Sequence, residues 1–201
     1  MKKDNDYLLS IDGSTVSTGW SIFDKKTNKL IDYGVIKHTF QTSLSKQESA
    51  DNRRERILYM IDELQKVITK YKPNEAVAED VPPTYKKRGN NSVTVLALGT
   101  LQGAMLGLSH MNNIPIHFVS VSTWHSCLGI LKSKGDLKKQ SIEWANKKHK
   151  ISLIYKSPSS KFNQDDIADS ICIGSFYLGN YQSETKTKLG VRTSRLRKAV
   201  K

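Results

Sequence analysis

Hydrophobic and polar positions alternate in short blocks over the first forty residues and then change period. Residues 7–12 ("YLLSID") and 19–24 ("GWSIFD") are apolar runs broken by a Gly/Ser/Thr turn, and residues 30–38 ("LIDYGVIKH") form a third. Such runs joined by short polar connections predict three strands in an antiparallel meander. From residue 47 to 71 the apolar side chains Ile57, Ile61, Leu64, Ile68 and Tyr71 recur at steps of four and three. That spacing is one stripe of a helix, ended by Pro73. "EAVAED" (75–80) reads as a short buried strand. A basic Pro/Gly-containing loop follows at 82–92, and then an apolar helix at 93–111. Gly99, Gly103 and Gly107 share one face of that helix; each costs about 1 kcal/mol relative to alanine, so a smooth face there serves close packing, either on the sheet or on a second copy. "PIHFVSVS" (115–122) reads as a further strand, and 136–149 and 164–181 as two more helices.

The order predicts an α/β fold with one mixed five-stranded sheet, three antiparallel strands then parallel ones, flanked by helices. The first and fourth strands can then lie side by side and parallel, with their C-terminal ends at one edge. Residues 1–182 read as one domain and 183–201 as a basic tail holding seven Lys/Arg and one acid. The tail fits a frayed end and a DNA-binding arm equally well.

Charge narrows the function. The 201 residues carry 32 Lys/Arg against 19 Asp/Glu, a net +13 and a pI near 9.7. This favours a polyanionic partner, nucleic acid before an anionic membrane. The two cysteines, Cys127 and Cys172, make no disulfide framework or CxxC pair. "MKKDNDYLL" lacks an apolar signal core, and no stretch reaches the length of a membrane span. A cytoplasmic protein with no membrane partner is expected.

Acids sit where the strands and one helix end. Asp12 closes the first strand, Glu79 closes the fourth, and "NQDDIADSICIG" opens a helix with Asp165, Asp166 and Asp169. Each has a plain structural reading: Asp-Gly is a turn dipeptide, and acids at a helix start favour its dipole. With one helical pair, Asp166 and Asp169 or Asp165 and Asp169, brought over the strand ends, four carboxylates share one edge, where they would raise one another's pKa values. Divalent cations resolve that conflict, and an all-oxygen set suits Mg²⁺ or Mn²⁺ rather than zinc. Two such ions can activate water and stabilise a departing 3′ oxygen.

"IDGSTVSTGWSIF", "AVAEDVPP", "LALGTLQGAMLGL", "PIHFVSVSTWHSCLG" and "DDIADSICIG" together resemble the RuvC-type Holliday junction resolvases of the RNase H-like nucleases. The high lysine content looks like that of a phage-encoded version. The resemblance implies an RNase H-like fold, a homodimer, and an endonuclease of DNA recombination and repair. That enzyme would cleave Holliday junctions by two-metal-ion hydrolysis, leaving 5′-phosphate and 3′-hydroxyl ends. Carried over by position, the metal-binding catalytic acids are Asp12, Glu79, Asp166 and Asp169. Asp165 ranks below Asp166, which has the family's spacing to Asp169. Lys139 corresponds to the family's basic residue near the scissile phosphate, with Lys138 adjacent. The aromatic residue usual three positions after the glutamate is Pro82 here. This departure points to a broader range of branched DNA. Tyr85, Lys86, Lys87 and Arg88 in the same loop are the expected DNA contacts.

Two other classes compete. "DGSTVSTG" resembles the first phosphate loop of sugar kinases and actin-like ATPases, but Asp12-Gly13 is the chain's only Asp-Gly pair, and those enzymes use a second one in a longer chain. No nucleotide cofactor is therefore expected. A non-catalytic branched-DNA-binding protein would lack one of the acids. His125 and Cys127 lack zinc-site spacing, and Trp124 and Trp144 read as core or partly buried.

Overall fold

The computed structural model describes residues 6–38, 46–81 and 92–181. The loop residues Tyr85, Lys86, Lys87 and Arg88 and the 183–201 tail lie outside the described residues. The strands are β1 (Tyr7–Asp12), β2 (Ser17–Asp24), β3 (Lys29–Lys37), β4 (Glu75–Glu79) and β5 (Ile116–Val119). The helices are α1 (Lys46–Tyr71), α2 (Ser92–Met111), α3 (Val121–Leu128), α4 (Leu137–His149) and α5 (Asp165–Phe176). The five strands form one sheet in the order β3-β2-β1-β4-β5. β1 pairs antiparallel with β2 and parallel with β4, and β4 pairs parallel with β5. The mixed sheet and the parallel first and fourth strands are those expected from the sequence.

The two-residue period of a strand sends alternate side chains to opposite faces. Leu9, Ile11, Ile22, Ala76 and Ala78 bury against Met60, Leu64 and Leu101 of α1 and α2. Leu8, Phe23 and Val77 bury against Trp124, Ile142, Ile167 and Ile171 of α3, α4 and α5. Asp12 and Glu79 follow Leu8 and Val77 in phase, so their side chains belong to the α3–α5 face.

Helix α5 lies tight on the sheet because small residues let it. A Cβ on Gly19 would come within 1.8 Å of the Asp166 carbonyl oxygen, and one on Gly174 within 2.4 Å of the Phe23 ring. The Ser10 hydroxyl donates to the Ser170 carbonyl at 2.7 Å. Gly19→Ala is thus expected to push the first turn of α5 off β2. A loss of at least about 2 kcal/mol, read by denaturant unfolding, should accompany a larger fractional loss of activity, because Asp166 sits on that turn.

Two elements depart from the sequence reading. The strand expected at 115–122 stops at Val119, because the Ser120 hydroxyl accepts from the Thr123 amide as an N-cap and starts α3. Gly129, at φ 71°, closes that helix in the left-handed conformation. The helix expected over 164–181 ends at Phe176 and continues as a π-turn through Tyr181. The glycine face of α2 does not pack on the sheet. A Cβ at Gly99, Gly103 or Gly107 would meet nothing within 4 Å, and Leu96, Leu106 and Met111 on the same helix are exposed. Among the described residues, no helix is long and apolar enough to cross a membrane.

Candidate active site

Parallel pairing matches Ile11 with Ala78, so one step further along the strands Asp12 lies beside Glu79. Helix α5 begins at Asp165 with its first turn over Gly19, the residue paired with Asp12 across β1 and β2. Three separate stretches of sequence therefore deliver acids to one edge of the sheet.

Their electrostatics register the crowding. Burial pushes the Asp12 carboxyl well above the ordinary range, and Asp169, Glu79, Asp166 and Asp165 push it in the same direction. Burial raises Glu79 to about 7 against a hydrogen bond from Trp124. Asp169 is also raised to about 7 by burial, opposed by a hydrogen bond with Ser141 and reinforced by Glu79, Asp165 and Asp166. Burial raises Asp166 as well, opposed first by the Ser17 hydroxyl, which donates to its Oδ2 at 2.5 Å.

The fold brings together all four expected ligands, with Asp165 beside them. Asp165 has a partner of its own, the Lys138 ammonium at 2.5 Å. Of the two lysines expected near the scissile phosphate, it is Lys138 that faces the acids. Its charge is felt by Asp165, Asp166 and Asp169. Lys139 points along α4 to Glu143 at 3.7 Å on an exposed surface. Consecutive helical residues are about 100° apart, so only one of the two can face α5.

Trp124 carries a function that its apolar neighbours concealed. It is buried, as expected, yet its indole Nε1 donates to Glu79 Oε2 at 3.3 Å. The Ser120 cap and the Gly129 stop were the sequence signals for the helix that carries it. Trp124→Phe removes a bond that favours the ionised glutamate. The acid limb of the pH–rate profile should move to higher pH, and activity at neutral pH should fall by roughly 10- to 100-fold, as for other outer-shell partners. A pH–rate series on both proteins checks this.

The donor set fits a hard divalent cation. All the donors are carboxylate oxygens, and neighbouring acids oppose the ionisation of Asp12, Asp166 and Asp169. Asp169 Oδ1 is buried without a hydrogen-bond partner, a costly state for an acceptor that a cation would relieve. Among the described residues, no group of three or more Asp, Glu, His or Cys side chains is placed to hold a metal ion as it stands, so the fit is one of donor chemistry.

The comparisons with known proteins show the family and the fold. The profile of the family "Crossover junction endodeoxyribonuclease RuvC" matches residues 8–173. The chain belongs to the RuvC family. The Fusobacterium nucleatum RuvC is 30% identical over 195 residues, covering 96% of this chain and 89% of that one. Among solved structures, Thermus thermophilus RuvC in complex with a Holliday junction substrate superposes with a TM-score of 0.60. It is 15% identical and covers 86% of this chain and 94% of its own. The yeast mitochondrial Holliday junction resolvase gives 0.57 at 16% identity, covering 87% and 78%. These neighbours share the fold of this chain.

Proposed function

We propose that this RuvC-family endonuclease cleaves four-way junctions and other branched DNA at the edge formed by β1, β4 and α5. The observation that carries the reading is that three distant segments deliver Asp12, Glu79 and the acids of α5 to one sheet edge, where burial raises Asp12, Glu79, Asp166 and Asp169 and neighbouring acids raise Asp12, Asp166 and Asp169 further. Asp12, Glu79, Asp166 and Asp169 would hold divalent cations, Mg²⁺ foremost and Mn²⁺ as the alternative. Such ions would supply the Lewis acidity that activates water and stabilises the departing 3′ oxygen. Ser17 fixes the Asp166 carboxylate, and Trp124 orients that of Glu79. Lys138, tethered by Asp165 beside the acids, offers its charge to the phosphate; Lys139 is left to the outer surface of α4. A hydrolytic cut on this plan leaves 5′-phosphate and 3′-hydroxyl ends.

A junction presents two strands to be cut, and the open glycine face of α2 supports a homodimer in which two copies present two sites. Its small residues permit close helix approach while Leu96, Leu106 and Met111 supply apolar area. The Tyr85, Lys86, Lys87 and Arg88 loop, which follows β4 in sequence, is proposed to contact DNA beside the cut.

The test uses end-labelled four-way junction, fork and linear duplex, with wild type and Glu79→Gln, in Mg²⁺ and in EDTA. Metal-dependent nicking near the branch point, absent in Glu79→Gln, is expected. Tight binding without cutting under every condition would instead identify a DNA-binding module.

A further inference from the structure

Next to the acids lies a second feature that metal binding does not use. A cleft of about 290 Å³ is lined by Lys37, Lys156, Lys161, Phe162, Asp166 and Ile167, among others. Its lining comes from α5, the end of β3 and the segment entering α5. Phe162 in that lining is 61% exposed, although it is a large aromatic. Exposed single hydrophobics are common, so exposure alone decides nothing. The construction of the segment does.

Residues 154–164 are held by a ladder of side-chain bonds. The Ile154 amide donates to Gln164 Oε1 at 2.8 Å, and the Gln164 amide returns a bond to the Ile154 carbonyl at 3.0 Å. Asn163 is buried; its Oδ1 accepts from the Lys156 amide at 2.9 Å, and its Nδ2 donates to the Ser157 carbonyl at 2.7 Å. The Phe162 amide donates to Ser160 Oγ at 3.2 Å. A buried amide side chain is thus used to fix a surface turn whose outward product is one phenylalanine between lysines. The Lys156 ammonium lies 4.7 Å from the ring centroid and that of Lys161 lies 5.6 Å from it. Lys37, which also lines the cleft, acts electrostatically on Asp166.

We infer that this cleft seats an unpaired nucleotide of the cleaved strand, beside the cut, with its base on the Phe162 ring and its phosphate on Lys156 and Lys161. An aromatic face flanked by cations is the arrangement that binds single-stranded nucleic acid, because every base has a π-face. A duplex hides that face within its stack, so the cleft selects for strands opened at a branch. The phosphate would draw the ammonium groups from the ring and uncover it for the base. Asp166 lines the cleft and belongs to the acid cluster, so the seated nucleotide adjoins the scissile phosphate. Phe162 is therefore a substrate-binding and selectivity residue. This inference rests on reading the acids as the site of cleavage.

The test places 5-iododeoxyuridine at each nucleotide flanking the nick of a four-way junction. The full-length protein is irradiated on it in EDTA, and the adduct is mapped by mass spectrometry. An adduct on Phe162 is expected. In Mg²⁺ at sub-saturating junction, Phe162→Ala should nick roughly fivefold more slowly or worse, the low end of what one lost base–aromatic stack costs. Its melting temperature should match the wild type, and Phe162→Trp should restore the rate. Adducts mapping only elsewhere, or Phe162→Ala nicking at the wild-type rate, would overturn the inference while the wild type still cuts and Glu79→Gln does not. A wild type that cuts no junction would overturn the cleavage reading; the metal-free crosslink would still decide whether the cleft holds a base.

Discussion

Asp12→Asn should reduce junction cleavage by about a thousandfold or more, since the Lewis acidity lost is worth several kcal/mol and each 1.4 kcal/mol is a factor of ten. The substitution keeps the size of the side chain, so β1 should still pair with β2 and β4, and junction binding in EDTA should stay within a few-fold of wild type. A second expected result distinguishes this variant from ordinary damage. Burial and four neighbouring acids all oppose ionisation of Asp12. Replacing it with a neutral amide removes that opposition. Without metal at pH 8, Asp12→Asn should therefore melt higher than wild type, while added Mg²⁺ should stabilise it less. Cleavage, binding and melting are read on the same preparations. Wild-type cutting by Asp12→Asn would remove this residue from the metal site.

The parts of this site that were legible in the sequence are those written in strict period. Asp12 and Glu79 end strands of alternating or continuous apolar character, so their place at a sheet edge follows from counting by twos. Asp166 and Asp169 open a helix whose apolar residues fix its face. The pairing of Lys138 with the acids was not legible, because Lys138 and Lys139 are adjacent and the phase of α4 against α5 depends on tertiary contacts such as Ile142 and Ala145 in the core. Helix α3 was concealed because "VSVSTWHS" is rich in β-branched and hydroxyl residues, which suit a strand as well as a capped helix. The Ser120 cap decides the matter locally, and burial of Trp124 beneath Glu79 decides it globally. Gly19 was read only as the first residue of the second strand. Its value is the space it leaves for the Asp166 carbonyl, which a Cβ would strike, a contact between residues far apart in sequence. The ladder behind Phe162 was equally invisible, since Asn163 and Gln164 bond to backbone groups six to ten residues away.

In the absence of metal, the protein should lose stability as pH rises from 6.5 to 8.5, and Mg²⁺ should abolish most of that loss. Glu79 and Asp169 titrate near 7 in the folded chain and Asp12 well above its ordinary value, whereas unfolded carboxylates titrate near 4. The folded state therefore binds more protons than the unfolded state across neutral pH. Linkage then requires stability to fall as pH rises through the folded values. The contribution is fully present below about pH 4 and is lost through and above 7. The choice of window matters because other groups have the opposite sign. Burial lowers His149 to about 4 and also lowers His125, so both add stability as pH rises toward their unfolded value near 6.5. Asp6, Asp24, Asp32 and Glu75 are held below their ordinary values by hydrogen bonds and lysines; their contribution is lost only as pH falls below the carboxylate range. Between pH 6.5 and 8.5 the acid cluster therefore dominates. Its loss is on the order of 2–3 kcal/mol, which for a domain of this size lowers the melting temperature by roughly 5–10 °C. Thermal melts at half-unit pH steps, with EDTA or with Mg²⁺, measure it. The Mg²⁺-induced rise should be larger at pH 8.5 than at pH 6.5, because binding requires the ionised carboxylates. A metal-free melting temperature that stays level or climbs across this window would mean that Asp12, Glu79 and Asp169 do not share the buried, mutually repelling environment from which the metal site is argued.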